Sequence, residues 1–212
     1  MNYLNLINKS LVELNYKQVS TFSELTKNEH KKLKNILNII NCEICSSEKW
    51  DFLQRKTILQ LPKNTSKLEN IIEGRIEAIL IDGCKLNYNS DYEKYFTKSQ
   101  PANTYSFYNN QILLPLYNED KELEILYYTK NCAKNNAGEE ILKMDSEQDY
   151  PLIPEPFVEP LLVYGACMRL KGNPQHVRFS YCLSMYKEAV LNLRSRISPS
   201  IDETPTVKLF RR

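Results

Sequence analysis

Residues 151–197 read PLIPEPFVEPLLVYGACMRLKGNPQHVRFSYCLSMYKEAVLNLRSRI, and this stretch predicts two helices joined by a tight turn. In each half, apolar side chains recur every three or four positions, the spacing of a helix that buries one face. Gly172, Asn173 and Pro174 separate the halves and are typical of a helix stop followed by a restart. The predicted buried faces are Phe157, Leu161, Leu162 and Met168 in the first helix and Phe179, Cys182, Tyr186, Ala189, Leu193 and Ile197 in the second.

The composition indicates a chain that builds a substantial core. It has 212 residues, of which 42% are hydrophobic and 25% are charged, as in folded globular domains. A formal net charge of +2 gives no broad basic surface for reading nucleic acid. Six cysteines are too few for a disulfide scaffold, so we expect reduced and mostly buried thiols. We expect no secretory leader, and no apolar run approaches the ~18 residues of a membrane span.

Two further helices are predicted upstream of the hairpin. Thr21 and Glu24 have the spacing of a capping box at the start of the second one, and Thr26 offers a second possible start. Lys27, Lys31 and Lys34 lie on one face of that helix, and we interpret them as a solvated surface in preference to a binding patch. The predicted helices span residues 4–14 and 22–45, and the apolar face of the second is Leu33, Ile36, Leu37, Ile40 and Ile44.

Residues 49–130 show the signals of a small antiparallel β unit of about five or six strands. Asp82-Gly83 and Asn109-Asn110 are predicted hairpin turns, because these residue types tolerate a positive φ. The side chains predicted to face one β core are Trp50, Phe52, Ile58, Ile76, Ile112, Leu114, Leu123 and Ile125.

Two segments beside the helical hairpin show no clear period. Residues 131–150 are polar and acidic, and we expect a connection with solvated carboxylates. Residues 198–212 contain two prolines and predict an extended tail. The carboxylates of residues 131–150 that we expect to be solvated are Glu139, Glu140, Asp145, Glu147 and Asp149.

The order of elements predicts an α+β fold. A β unit between two helical pairs suggests that the four helices pack as one core and that the small antiparallel β unit is inserted into it. The predicted divisions are 1–48 for the N-terminal helices, 49–130 for the β domain, 131–150 for the acidic connection, 151–197 for the C-terminal helical hairpin and 198–212 for the extended tail.

The residue types that carry catalysis or metal binding lack their usual surroundings. Cys42 and Cys45 form a C-x-x-C at a helix end, without the second pair of ligands that a zinc site needs. His30 and His176 stand far from them in sequence. No G-x-S-x-G is present, and five glycines leave little material for phosphate-binding loops. We therefore predict no catalytic, cofactor-binding or metal-binding residue, and no enzyme.

Several short motifs follow one another along residues 1–197. They are LNLINKSL at 4–11, EKWDF at 48–52, LP at 61–62, Pro101 and Tyr105 with ILLP at 112–115, LEILYY at 123–128, and IPE at 153–155 continuing to Ala166. In order and spacing they resemble the head-to-tail adaptor proteins of short-tailed phages, the tail-tubular-protein-A type of connector.

The resemblance implies a structural role in the virion. Adaptors of this kind form a ring of about twelve copies with closed cyclic symmetry beneath the portal protein. The ring extends the DNA channel and docks tail nozzle or tail-fibre proteins, while genomic DNA passes through without specific binding. The resemblance also implies assembly in the host cytoplasm, a final place at the head–tail interface, and no membrane partner.

Three other functions stay open. Another tail-completion or tail-tube protein belongs to the same structural class. A small nucleic-acid-associated factor would use the helix face with Lys27, Lys31, Lys32 and Lys34, and would bind DNA in a salt-dependent way. An enzyme would use the cysteines, and alkylation would abolish its activity.

The tail carries the one binding site that the residues themselves predict. Two of its apolar side chains alternate with Lys208, which suits an extended strand laid on another surface. The hypothesis is an arm that orders on binding and latches the ring to the portal or to the adjacent copy. A frayed terminus is the alternative. The predicted contact residues are Val207, Leu209, Phe210, Arg211 and Arg212.

Overall fold

The computed structural model describes residues 1–97, 101–172 and 177–197, and they form a mixed α+β structure. The helices of these residues are α1 (Tyr3–Glu13), α2 (Asn28–Ser47), α3 (Val158–Lys171) and α4 (Val177–Ile197). The strands are β1 (Gln54–Leu61), β2 (Lys67–Glu69), β3 (Gly74–Ile81), β4 (Cys84–Lys85), β5 (Asn87–Tyr88), β6 (Thr104–Tyr108), β7 (Gln111–Leu113), β8 (Lys121–Thr129), β9 (Ala133–Lys134), β10 (Glu140–Ile141) and β11 (Tyr150–Pro151).

The predicted helices are present, but the second begins later than expected. Residues Phe22–Glu24 form a separate 3-10 turn, and buried Leu25 follows it before α2 starts. The predicted capping box does not form: the Glu24 carboxylate accepts a hydrogen bond from Ser20 N and not from Thr21 N, and the Thr21 side chain makes no capping bond. Thr21 and Glu24 therefore belong to the short turn and not to α2.

The α3 helix packs against each of the other three helices. Gly165 makes this close approach possible, because a Cβ there would lie 3.1 Å from the Tyr186 ring on α4 and 3.2 Å from Ile40 Cδ1 on α2. The predicted apolar faces of the hairpin are buried or partly buried in this core except for Phe179, which is half-buried but does not belong to it. Gly172 ends α3 with a positive φ of 22°, while Asn173 and Pro174 lie outside the described residues.

The β region forms two four-stranded sheets, ordered β1-β8-β3-β4 and β2-β7-β6-β5. Both predicted hairpins are confirmed, with positive φ values at Asp82, Gly83, Asn109 and Asn110. All neighbouring strands of the two sheets pair antiparallel except β5 and β6, which run parallel.

The predicted β core is partly wrong. Buried Ile112, Leu114, Leu123 and Ile125 do lie in it, and Ile76 packs against it. Two aromatic side chains belong to the helical core instead, namely Trp50 and Phe52. The reason is a 3-10 turn, Asp51–Leu53, which breaks the two-residue period before β1 starts. Within β1, Leu59 and Leu61 take the inner positions, which leaves Ile58 51% exposed.

The acidic connection contains short strands that its sequence pattern did not predict. β9 is the central strand of a three-stranded sheet with β10 and β11 on its two sides. Ala133 and Met144 are buried in the helical core. The prediction of solvated carboxylates is wrong for Asp149, which is 3% exposed and accepts hydrogen bonds of 2.7 Å from the backbone N of Asp145 and of Ser146. The Asp149 carboxylate is buried because it accepts the backbone hydrogen bonds that close this turn.

Gly74 at the start of β3 is the glycine most sensitive to substitution in the β unit. A Cβ at this position would lie 2.1 Å from the carbonyl oxygen of Tyr128 on β8. We expect Gly74→Ala to lower the free energy of unfolding by about 1–3 kcal/mol, because backbone of the paired strand has to move. Urea unfolding followed by circular dichroism measures this. The matched control Arg75→Ala, at the exposed next position, should stay within about 0.5 kcal/mol of wild type.

Candidate interaction surfaces

The predicted tail residues Val207, Leu209, Phe210, Arg211 and Arg212 lie outside the described residues. The structure does show where the tail leaves the fold. Ile197, the last residue of α4, packs partly against the helical core. One turn earlier, Arg194 Nε donates a hydrogen bond to Glu48 between α2 and the β unit. The last turn of α4 therefore lies beside the junction of the two parts of the molecule.

An apolar groove lies at the same junction, between the C-terminal end of α2 and the C-terminal half of α4. It encloses about 430 Å³. Trp50 and Leu193 line its floor, and Glu43 and Lys187 supply charge at its rim. Sequence periodicity does not reveal this groove, because it needs residues from two distant helices.

The α4 helix also exposes two large side chains away from the core. Leu191 is 63% exposed and Tyr181 is 51% exposed. The Tyr181 ring meets the Tyr164 ring edge-on at 5.8 Å, and the hydrogen bond that the Tyr164 hydroxyl donates to Tyr181 raises, together with burial, the pKa of Tyr164 to about 12. Single exposed apolar side chains are common, but Leu191 also lines the apolar groove, which makes this part of α4 a candidate contact surface.

Three exposed aromatic rings form a cluster at the second sheet, which the sequence did not indicate. Tyr92 stacks on Tyr108 with centroids 4.9 Å apart, and Phe96 meets Tyr108 edge-on at 5.5 Å. Lys67 Nζ lies 4.6 Å from the Phe96 centroid. Tyrosines of this kind supply contact area with little loss of side-chain entropy, and they are enriched at protein interfaces. The members of the cluster, all exposed, are Tyr92, Phe96 and Tyr108.

The lysines of α2 do not form one free face. Lys34 Nζ lies 4.2 Å from the centroid of the Phe22 ring and 3.5 Å from the carbonyl oxygen of Asp145, so this ammonium is held against the protein. Lys27 and Lys31 are exposed. The arrangement gives no specific support to a nucleic-acid face.

The cysteines are all free thiols, and three of them meet. Cys42 and Cys45 of α2 lie against Cys132. The hydrogen bond with Cys42 lowers the pKa of Cys132, but the hydrogen bond with Cys45 and burial outweigh it and raise this pKa to about 12. Among the residues that the structure describes, no group of three or more His, Cys, Asp or Glu side chains has an arrangement that could hold a metal ion. His30 is buried against Tyr16, and His176 lies outside the described residues.

Several carboxylates of the acidic connection tie the fold together. Glu140 forms an ion pair of 2.5 Å with Arg55 of β1, and Glu147 accepts a hydrogen bond from Phe22 N. Glu139 and Asp145 remain exposed. The segment is therefore mainly a structural bridge between the β unit and the helices.

No protein-family model matches the sequence, and no curated protein matches it. Over residues 1–97, 101–172 and 177–197, no helix is both long enough and apolar enough to cross a membrane.

Proposed function

We propose that the protein is a head-to-tail adaptor of the short-tailed-phage type, a structural virion protein without catalytic residues. In this role about twelve copies form a closed ring beneath the portal, extend the DNA channel and dock tail nozzle or tail-fibre proteins. The observation that carries the proposal is the order of elements. Two helices precede the β unit and two follow it, and α3 packs against the three other helices.

The proposal treats the four helices as one core and the β unit as an insertion. Its support is the separation of the buried side chains into two clusters. One cluster contains residues from all four helices, and the other contains residues from the two four-stranded sheets. With separate cores, the helices can hold the ring and portal contacts while the β unit projects toward the tail.

Several residues of the motifs that carry the resemblance are buried in the fold. Leu61 is fully buried and closes β1, and Pro62 ends the pairing there. Ile112 and Leu114 are fully buried in the β core. Ala166 is fully buried in α3. A relative with the same fold would need apolar residues at these places, which is why such short motifs support the proposal together.

We assign one contact in the proposed ring to each candidate surface and to the tail. The exposed side chains of α4 contact the neighbouring copy, and the aromatic cluster of the second sheet meets tail proteins. The tail residues 207–212 latch onto the portal or the adjacent copy. The near-neutral charge of the chain suits a channel through which DNA slides, because each phosphate contact by Lys or Arg would add affinity.

The test is mass measurement of the protein alone and mixed with the portal protein of the same phage. We expect a portal-bound ring of many copies, and a free monomer is compatible with the proposal. Leu191→Asp should weaken this assembly while leaving the monomer folded, because Leu191 is mostly exposed. The matched control Val12→Asp, at a half-exposed position of α1, should assemble normally. Absence of any complex with the portal at high concentration would refute the proposal.

A further inference from the structure

Cys42 and Cys45 of α2 and the distant Cys132 line one open cavity of about 540 Å³. Cys42 and Cys45 project from α2, and Cys132 directly precedes β9 of the third sheet. Cys42 is partly exposed, whereas Cys45 and Cys132 are buried. A reagent in solution can therefore reach the Cys42 sulfur first and meets the other two only from inside the cavity.

Backbone contacts on both sides hold the Cys42 and Cys132 thiols next to each other. Asn41 Nδ2 donates a hydrogen bond of 2.8 Å to the carbonyl oxygen of Cys132. The Cys132 N donates to Ile141 O at 3.1 Å, and the Cys42 thiol donates to Leu142 O at 3.6 Å. The Cys132 thiol donates to Lys130 O at 3.5 Å, and the Cys42 thiol also lies within hydrogen-bonding reach of the Cys132 sulfur.

We propose that Cys42 and Cys132 are a dithiol modification site, which a small disulfide such as oxidised glutathione converts into an intramolecular disulfide. The Cys42 thiolate attacks one sulfur of the reagent, whose S–S bond breaks and releases the first glutathione. The Cys132 thiolate then attacks the Cys42 sulfur of the mixed disulfide and releases the second. The protein loses two electrons and two protons, and the reagent becomes two thiols.

The position of the pair gives this bond a defined structural effect. Cys42 precedes β1 and Cys132 follows β8, so the bond closes a loop that contains both four-stranded sheets. It would fasten the two chain connections between the β unit and the helices to one another. Closing a long loop restricts the unfolded chain strongly, so the oxidised protein should unfold at a higher urea concentration than the reduced protein.

The surroundings also set the rate of the reaction. The hydrogen bond with Cys132 and burial raise the pKa of Cys42 well above its usual range; Glu43 adds to the rise and Lys143 opposes it. Because the thiolate is the attacking species, the reaction should be slow at neutral pH and should accelerate as the pH rises.

The experiment incubates the folded full-length chain with oxidised glutathione at mildly alkaline pH, followed by intact-mass measurement and peptide mapping. We expect a product that is lighter by two hydrogens and a peptide that joins Cys42 to Cys132. Cys42→Ser should abolish the link, and Cys45→Ser should retain it. The second buried pair, Cys167 and Cys182, should stay reduced and serves as the internal control.

Three results would overturn the inference. One is a stable glutathione adduct on Cys42, since it would show that Cys132 does not reach the mixed disulfide. Another is a link between Cys45 and Cys132 that persists in Cys42→Ser. The third is an oxidised protein with the same urea midpoint as the reduced one, since the bond would then not tie the β unit to the helices.

Discussion

Deletion of residues 200–212 is expected to leave a folded, soluble monomer whose portal-bound ring is weak or absent. The deleted segment follows α4, so no described helix or strand loses a residue. The fifteen residues of the tail can extend up to about 50 Å, far enough to cross a subunit boundary. Its apolar side chains would gain burial only on a partner, and that burial would offset the entropy of ordering the arm.

Circular dichroism of the truncated monomer and mass measurement of its mixture with the portal test the latch together. The matched variant replaces Val207, Leu209 and Phe210 by Ser in the full-length chain, and it should assemble as poorly as the truncation. A variant with Arg211 and Arg212 replaced by Gln separates the contribution of charge. If the truncated protein assembles on the portal as tightly as the full chain, the tail is no latch, while the ring proposal itself stands.

Local signals explain what the sequence predicts well. The α3–α4 hairpin follows from apolar spacing and a glycine stop, and both features act within a few residues. The turns at Asp82-Gly83 and Asn109-Asn110 follow from residue types that accept the positive φ seen there. These elements need no information about distant parts of the chain.

The three-stranded sheet of β9, β10 and β11 could not be predicted from local signals. Its strands have two residues each, too few to display a period. Contacts with distant segments hold it instead. The Asn38 side chain on α2 accepts a hydrogen bond from Met144 N and donates one to Met144 O, and Tyr3 N donates to Asp149 O at 2.7 Å. None of these partners is recognisable before the helices are placed.

The candidate surfaces depend on the same kind of information. The aromatic cluster takes its rings from two separate segments, one with Tyr92 and Phe96 and the other with Tyr108, and the cysteine cavity joins α2 to a residue ninety positions later. Composition shows that Tyr and Cys are present, but only the fold decides that they meet. The C-x-x-C pattern pointed to Cys42 and Cys45, whereas the third thiol, Cys132, is visible only in the structure.

Trp50→Ala is expected to be among the most destabilising single substitutions, lowering the free energy of unfolding by about 3–5 kcal/mol. The side chain is 1% exposed and lies in the helical core, although it precedes the β unit in sequence. Its Nε1 donates a hydrogen bond of 2.6 Å to Ile44 O near the end of α2, and its ring stacks on Phe52. Removing it leaves a cavity where the two parts of the molecule join.

Urea unfolding must be followed by far-ultraviolet circular dichroism, because Trp50 is the only tryptophan of the chain. The conservative variant Trp50→Phe keeps most of the packing but loses the donor to Ile44 O, so we expect a smaller loss, of which about 1 kcal/mol comes from the hydrogen bond. Ile58→Ala is the matched control, since the apolar pattern placed both residues in one β core. With Ile58 51% exposed, its truncation should cost less than about 1 kcal/mol. Similar losses for Trp50→Ala and Ile58→Ala would mean that the two side chains share a core after all, contrary to the arrangement described.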